Sequence, residues 1–484
     1  MQNTARQSEE RESARVVGHI QLEQNAGQTV REPMPSKQPA GDDFFAALAD
    51  PFLGTDRLQR ELERVLAELE ELQVGNRWDD SIALFHPVTE KLPELVEAGL
   101  EGPVRLKLGF ALCRARRHEE AIACIREVVR RENDHFMANY CLAYTVLDLL
   151  FTARTDRKPL SAGRRAELIR LAHDHFGRCR ELNPDSVTVF YREAILYKEI
   201  EGKPRQAVPL FEQAAANWEQ LSPEEQTSRH QQRPKYIKSL YHLASCLLHL
   251  DLPRRSLKIL EKVMELDGDR NHMHPLFKHF AMGKVLFALG RPKEATDHLE
   301  TAAHRADNGQ ATDFVWELAA RCALDLGLPD RAAAFIGRIP PPARRPYVRW
   351  TESDVLVAQG RKDEAIRILV QTAERDRRGR HKALLRLARI HLAAGEAEKA
   401  LTLAKQAADF CRETFGNEAH EALFWQAACL YRLDRFPEAL SIVRELEETN
   451  FRYPHFSRLA TLVKDAVAGR TTGTRDRSAF TLVK

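Results

Sequence analysis

Aromatic side chains are scarce in this sequence, with Phe, Trp and Tyr making up 7% of 484 residues. Cysteine is sparser still: there are 8, and none falls in a C-x-x-C pair. A disulfide-stapled secreted scaffold and a zinc-finger module are therefore excluded. Neither sign of charge is in excess, since 73 Lys+Arg face 70 Asp+Glu. That removes a globally basic nucleic-acid binder and an acidic tail protein. No run approaches ~20 apolar residues, so no membrane span is expected. The opening MQNTARQSEERESARVV lacks the apolar stretch of an export signal. Sustained apolar–polar alternation, the signature of a half-buried strand, is also missing. The motifs H-E-x-x-H, G-x-x-x-x-G-K-[ST] and G-x-S-x-G do not occur, and no G-x-G-x-x-G opens a helix after a strand. The expectation is a non-enzymatic, cytoplasmic protein with no catalytic residue, no metal and no cofactor.

Leucine and alanine are abundant, and both favour helix. Leu58, Leu62, Val65, Leu66, Leu69 and Leu72 recur at the i, i+3, i+4, i+7 spacing of one helix face. Pro204, Pro253, Pro292 and Pro329 fall where first turns of helices are expected, where a missing N–H costs little. The body is therefore read as all-α. Residues 1–43 contain no aromatic residue and are rich in Gln, Glu, Arg, Ser and Pro, so this stretch is expected to be disordered. Residues 44–54 form a short apolar motif carrying Phe44, Phe45, Leu48, Phe52 and Leu53. It reads either as a cap on the first helix pair or as an interaction motif on a tether, and 44–53 is within reach of docking on the chain itself. Helix pairs fill 55–451, a C-terminal capping helix takes 452–468, and 469–484 is a second disordered tail.

The body repeats itself. A small residue in one helix is followed by another small residue twelve positions later, in the next helix. The pairs are Gly109 with Ala121, Ala244 with Ser256, Gly283 with Ala295, Ala320 with Ala332, Ser353 with Ala365, Ala388 with Ala400, and Ala427 with Ala439. Leu69 with Ser81 keeps the spacing with a larger first member. Five positions before the second small residue stands a glycine in Gly290, Gly327, Gly360 and Gly395. Antiparallel helices approach closely only where side chains are small, and glycine relieves the tight connection. FAMGKVLFALGRPKEATDHLETAAHRAD and VWELAARCALDLGLPDRAAAFI carry the pattern best.

This pattern resembles the tetratricopeptide repeat, with about ten units in tandem. Inserts at 153–163, 219–234 and 340–346 lengthen several units, and the second helix at Thr402 to Asn417 is extended. The resemblance implies a right-handed helical-repeat solenoid whose first helices line a concave groove that binds peptides or partner proteins.

Several residues are candidates for chemistry. Cys246, Cys322 and Cys429 each fall two residues after a small residue, and Cys179 takes a core position, which reads as packing. His272, His274 and His279 read as polar loop and surface residues, with a weak metal site as the alternative. Acid pairs Asp79/Asp80 and Glu119/Glu120 suit the starts of second helices.

The strongest signal is positional. Tyr140, Tyr191, Tyr241, Phe280, Trp350 and Phe424 all lie three residues before the small residue of a first helix. Phe277 lies six before, and Phe110 and Tyr144 one after. These spacings form one stripe per helix, and Lys284, Arg321, Arg114, Lys198 and Arg389 interleave with it. The rings serve either the groove or the core between units. The expected partner is a protein or peptide segment of acidic character.

A second reading rests on residues 338–389, where fourteen Lys/Arg meet six Asp/Glu and RDRRGRHK is a basic run. That segment would serve a nucleic-acid-associated or regulatory role, although nucleic acid is disfavoured because no helix-turn-helix signal accompanies it. The Lys and Asn four apart of the chaperone-binding carboxylate clamp are not found on the first unit.

Overall fold

The computed structural model describes residues 53–156, 159–449, 451 and 453–470. The segments read as a tail at 1–43, as an apolar motif through Phe52, and as a tail from Thr471 lie outside the described residues. The described residues form 24 α-helices and no strand. The chain is all-α, a helical-repeat solenoid in which consecutive helices pack as antiparallel pairs. It divides into two compact units. One takes residues up to Leu250 together with Glu265–His272, and the other takes Asp251–Met264 together with Met273 onward.

Small residues sit where the two helices of a pair cross. In the N-terminal unit, a Cβ added to Gly109 would lie 2.4 Å from Ile125 Cγ1. In the C-terminal unit, one added to Gly283 would lie 2.7 Å from Leu299 Cγ and 3.3 Å from the Ala295 carbonyl. Every such pair also turns through the left-handed region at one position. Gly290, Gly327, Gly360 and Gly395 have φ of 73°, 71°, 79° and 87° there. Asn76, Arg116, Asp251 and Asp434 hold the same register with φ of 56°, 60°, 64° and 59°. The strain of a non-glycine left-handed residue is small for Asn and Asp and larger for Arg.

The N-terminal unit runs from Leu53–Val74 to Arg233–His249. Its core gathers Leu69, Leu108, Leu112, Ile125, Leu142, Phe176 and Phe211, each under 2% exposed. The Phe136–Thr155 helix is 20 residues long and apolar enough, by length and composition, to cross a membrane. Polar residues, Asn139 and Asp148 among them, interrupt its apolar run. Half of its span is buried inside the unit, with Leu142, Val146, Leu147 and Leu150 packed into the core as in an interior helix. The Val187–Ile195 helix continues as a π-helix, Leu196–Glu201, which Gly202 ends at φ 68°. Within the 219–234 insert, Ser222 and Glu225 form a reciprocal capping box on the short helix Pro223–Ser228.

The C-terminal unit stacks helices from Pro275–Ala288 to Phe456–Val467. The 340–346 insert contains one 3₁₀ turn, Pro341–Ala343. The extended second helix, Ala397–Phe415, stops at Gly416 with φ 66°. All eight cysteines are buried and unbridged, as small apolar side chains.

Candidate partner-binding stripe

The ten residues singled out from the sequence all fall on first helices of their pairs, but their surroundings differ. In the N-terminal unit, Phe110 meets Trp78 edge-on at 5.7 Å, and Arg114 lies 5.8 Å over the same indole. Phe136, Tyr140 and Tyr144 stack along one helix face at 6.4 and 6.3 Å. Arg192, from the following first helix, covers Tyr144 at 4.9 Å and Tyr191 at 5.6 Å. Tyr191 and Tyr241 are buried, and both contact His242, at 6.2 and 5.4 Å. Burial, reinforced by the Lys198 ammonium 3.2 Å away, holds His242 well below the usual imidazole pKa.

In the C-terminal unit Phe277 and Phe280 are buried, and Phe280 meets Phe314 edge-on at 4.6 Å. Cations cover the rings here too. Lys284 lies 5.7 Å over Phe280, Arg321 5.0 Å over Phe287, Arg386 5.5 Å over Trp350, and Arg389 5.6 Å over Trp425. The stripe thus has two layers. Rings pack between neighbouring helices, while Lys284, Arg321 and Arg389 lie half-buried above them. Cation–π contacts of this kind are worth ~0.5–1 kcal/mol at exposed sites and more when desolvated. Their larger consequence is that flexible side chains are held in register.

Polar pairs also step from one first helix to the next in this unit. Tyr347 donates its hydroxyl to Asp313 at 2.6 Å, and Thr351 donates to Glu317 at 2.6 Å. Arg386 donates to Asp354 at 3.2 Å, and Lys382 and the Tyr453 hydroxyl converge on Glu421 at 3.7 and 3.1 Å. The acids of the stripe are thereby engaged within the fold. Much of the basic 338–389 segment is engaged as well. Arg344 and Arg349 share Glu352, Arg361 pairs with Glu364, and Arg338 lies 4.3 Å over Trp316. Arg377 and Arg378, in the turn before the Arg380–Ala393 helix, and Arg380, its first residue, are exposed.

Sequence pattern does not reach three further groupings. His173 lies between Glu193 at 3.2 Å and Glu201 at 2.7 Å. Burial opposes its charge, yet the two carboxylates outweigh burial and hold its pKa above the ordinary value. Cys113, His118 and Asp148 converge across one turn and the next first helix. His279, read from the sequence as a surface residue, is half-buried against His298, Nδ1 to Nδ1 at 3.0 Å. Their members stand at unequal separations, 20 and 28 residues for His173 with its two acids and 19 for His279 with His298, so no fixed spacing marks them.

One ring of the His279–His298 pair must donate and the other accept, so the pair needs at least one neutral imidazole. Burial, then the neighbouring His298, pushes His279 down to about 4, and burial also lowers His298. An unfolded imidazole takes up its proton near 6.5, as usual for histidine. The stability this pair contributes is therefore complete above that pH and is lost as pH falls towards 4. The melting temperature should fall over that window, and fall less steeply in a His279→Gln/His298→Gln variant. Equal slopes in the two proteins would remove the pair from the acid response.

Antiparallel helix pairs, small residues at each crossing and one left-handed turn per pair define a helical-repeat scaffold for protein–protein interaction. The chain carries tetratricopeptide repeats: residues 351–413 and 279–301 each match a family described as Tetratricopeptide repeat. No curated protein matches it in sequence. Among solved structures it is similar to the apo form of RapI, at 10% identity over 80% of this chain and 98% of that one, with a TM-score of 0.47. A tetratricopeptide repeat protein from Parabacteroides merdae is 13% identical over 56% of this chain and 91% of that one, with a TM-score of 0.39. YrrB, a tetratricopeptide-repeat protein with an unusual peptide-binding site, is 14% identical over 49% and 97%, with a TM-score of 0.31.

Proposed function

We propose that the chain is a non-enzymatic scaffold that holds an acidic segment of a partner protein along a first-helix stripe of the C-terminal unit. The observation that carries this reading is the set of half-buried cations Lys284, Arg321 and Arg389, each seated over an aromatic ring. A carboxylate-bearing segment meets such cations at fixed positions, so less side-chain entropy is lost on binding. The rings beneath supply stiff apolar area beside each charge. The acids Asp313, Glu317, Asp354 and Glu421 are hydrogen-bonded within the fold.

The test uses immobilised acidic and basic peptides of equal length, with the full chain in solution. The wild type should be retained by the acidic set, with retention falling as salt rises. Reversing Lys284, Arg321 and Arg389 to Glu should weaken retention by about tenfold or more. Reversing Arg377, Arg378 and Arg380 to Glu should leave it largely intact, because exposed charges adjust rate and salt dependence more than core affinity. Retention that follows the second triple and ignores the first would move the site to the basic turn.

A further inference from the structure

Three side chains with different donor atoms meet in the N-terminal unit. Cys113 lies in the last turn of the Gly102–Arg114 helix, and His118 opens the His118–Arg131 helix beyond the connection. Asp148 comes from the Phe136–Thr155 helix, the first helix of the next pair. Their sulfur, imidazole nitrogen and carboxylate oxygen all lie within 4.8 Å of one another. His118 Nε2 is 2.8 Å from Asp148 Oδ2, and Cys113 Sγ is 3.8 Å from the same oxygen. We propose that Cys113, His118 and Asp148 form a binding site for a divalent transition-metal ion of the zinc kind, with three protein ligands and a fourth position left to water.

The donor set selects the class of ion. Calcium and magnesium take oxygen ligands, whereas one thiolate, one imidazole and one carboxylate suit zinc or cobalt. Bonds of ~2.0–2.3 Å in a tetrahedral arrangement place donors about 3.3–3.8 Å apart. Observed separations of 2.8 and 3.8 Å bracket that range, and the limit of 4.8 Å on the third lies within reach of a small rotamer adjustment. Cys113 and His118 are 3% and 4% exposed, which shields them from competing water. The Asp148 side chain is 31% exposed and gives the ion a way in. An ion held there would tie the turn of one repeat to the first helix of the next. It would stabilise this unit by mass action, because an unfolded chain offers no preformed site.

Without an ion, the same residues make a His–Asp hydrogen bond beside a buried thiol, and the experiment separates the two arrangements. The full chain, stripped of metal, is titrated with Co²⁺ and then with Zn²⁺. The expected result is one equivalent of cobalt with a thiolate-to-metal charge-transfer band, displaced by zinc, and a higher melting temperature in either metal. Cys113→Ser should abolish the band, while His118→Gln and Asp148→Asn should each weaken binding by about tenfold or more. Cys429→Ser, a buried thiol in the other unit, should leave the band unchanged. Asp148→Asn is nearly isosteric at a partly exposed position, so it decides the matter if Cys113→Ser does not fold. The absence of a band in the wild type overturns the proposal, as does a band that survives Cys113→Ser or an affinity that Asp148→Asn leaves unaltered.

Discussion

Truncating Phe424 to alanine is expected to destabilise the C-terminal unit by about 3–5 kcal/mol, the usual cost of emptying a large buried aromatic site. Phe424 is 0% exposed. Its ring meets Trp425 edge-on at 5.2 Å and Tyr453 at 4.6 Å. It belongs to the cluster that also holds Phe456, Leu459 and Val463 of the last helix. The groove alternative for this register predicts otherwise: three residues before Ala427, Phe424 stands where Trp350 does in its own pair, and a ring facing a groove would cost far less to remove. The two descriptions therefore differ by several-fold in one measurement, the urea midpoint of Phe424→Ala. Hydrogen exchange adds a second check. In a stack of repeats each pair leans on its neighbours alone, so protection should be lost first from His420–Arg432 and Phe456–Val467. Uniform loss across the whole C-terminal unit would mean that it unfolds as one block.

Phe424 marks the line between what the residue pattern carries and what it does not. The crossings are local: Gly109 and Gly283 leave no room for a Cβ, and a small residue twelve positions on completes each pair. The turns are local too, and Asn76, Asp251 and Asp434 take the left-handed conformation where the repeat lacks a glycine. Those features come from backbone geometry within one unit, so the sequence displays them directly. Exposure of the stripe is set a repeat away. Phe424 is buried because Tyr453 and Phe456 follow it, and Phe280 because Phe314 does. Within 338–389 the count of charges does not show which arginines are engaged: Arg344 meets Glu352, Arg361 meets Glu364, Arg386 meets Asp354 a repeat away, and Arg338 lies over the Trp316 ring. The Cys113–His118–Asp148 meeting combines two repeats and three donor types, and no single-unit pattern contains it.

Replacing Tyr347 with phenylalanine should cost about 1.5–3 kcal/mol, the usual worth of a hydrogen bond to a charged group. The phenol and its acceptor are both nearly enclosed, at 7% exposure for Tyr347 and 8% for Asp313, and lie 2.6 Å apart. Burial, then the adjacent carboxylate, pushes the Tyr347 phenol far above its ordinary pKa, so it is a donor at any working pH. Removing the hydroxyl leaves Asp313 with the partly exposed Arg345, 3.6 Å away, as its remaining ion-pair partner. The loss comes chiefly from stranding a buried acceptor, not from the bond alone. That distinction has its own signature. Asp313→Asn removes the charge, so Tyr347→Phe should cost less in that background, with a coupling of about 1 kcal/mol or more in a double-mutant cycle. The neighbouring Thr351–Glu317 bond spans the same 34 residues, one helix turn further along. Thr351→Val should behave alike, since Thr351 and Glu317 are just as enclosed, at 3% and 4% exposure. Binding of acidic peptides gives the functional half of the test. If the Tyr347 bond holds Asp313 away from an incoming acidic segment, Tyr347→Phe should weaken peptide retention as well as stability. Stability lost with retention unchanged would assign the ladder to folding alone and leave recognition to Lys284, Arg321 and Arg389.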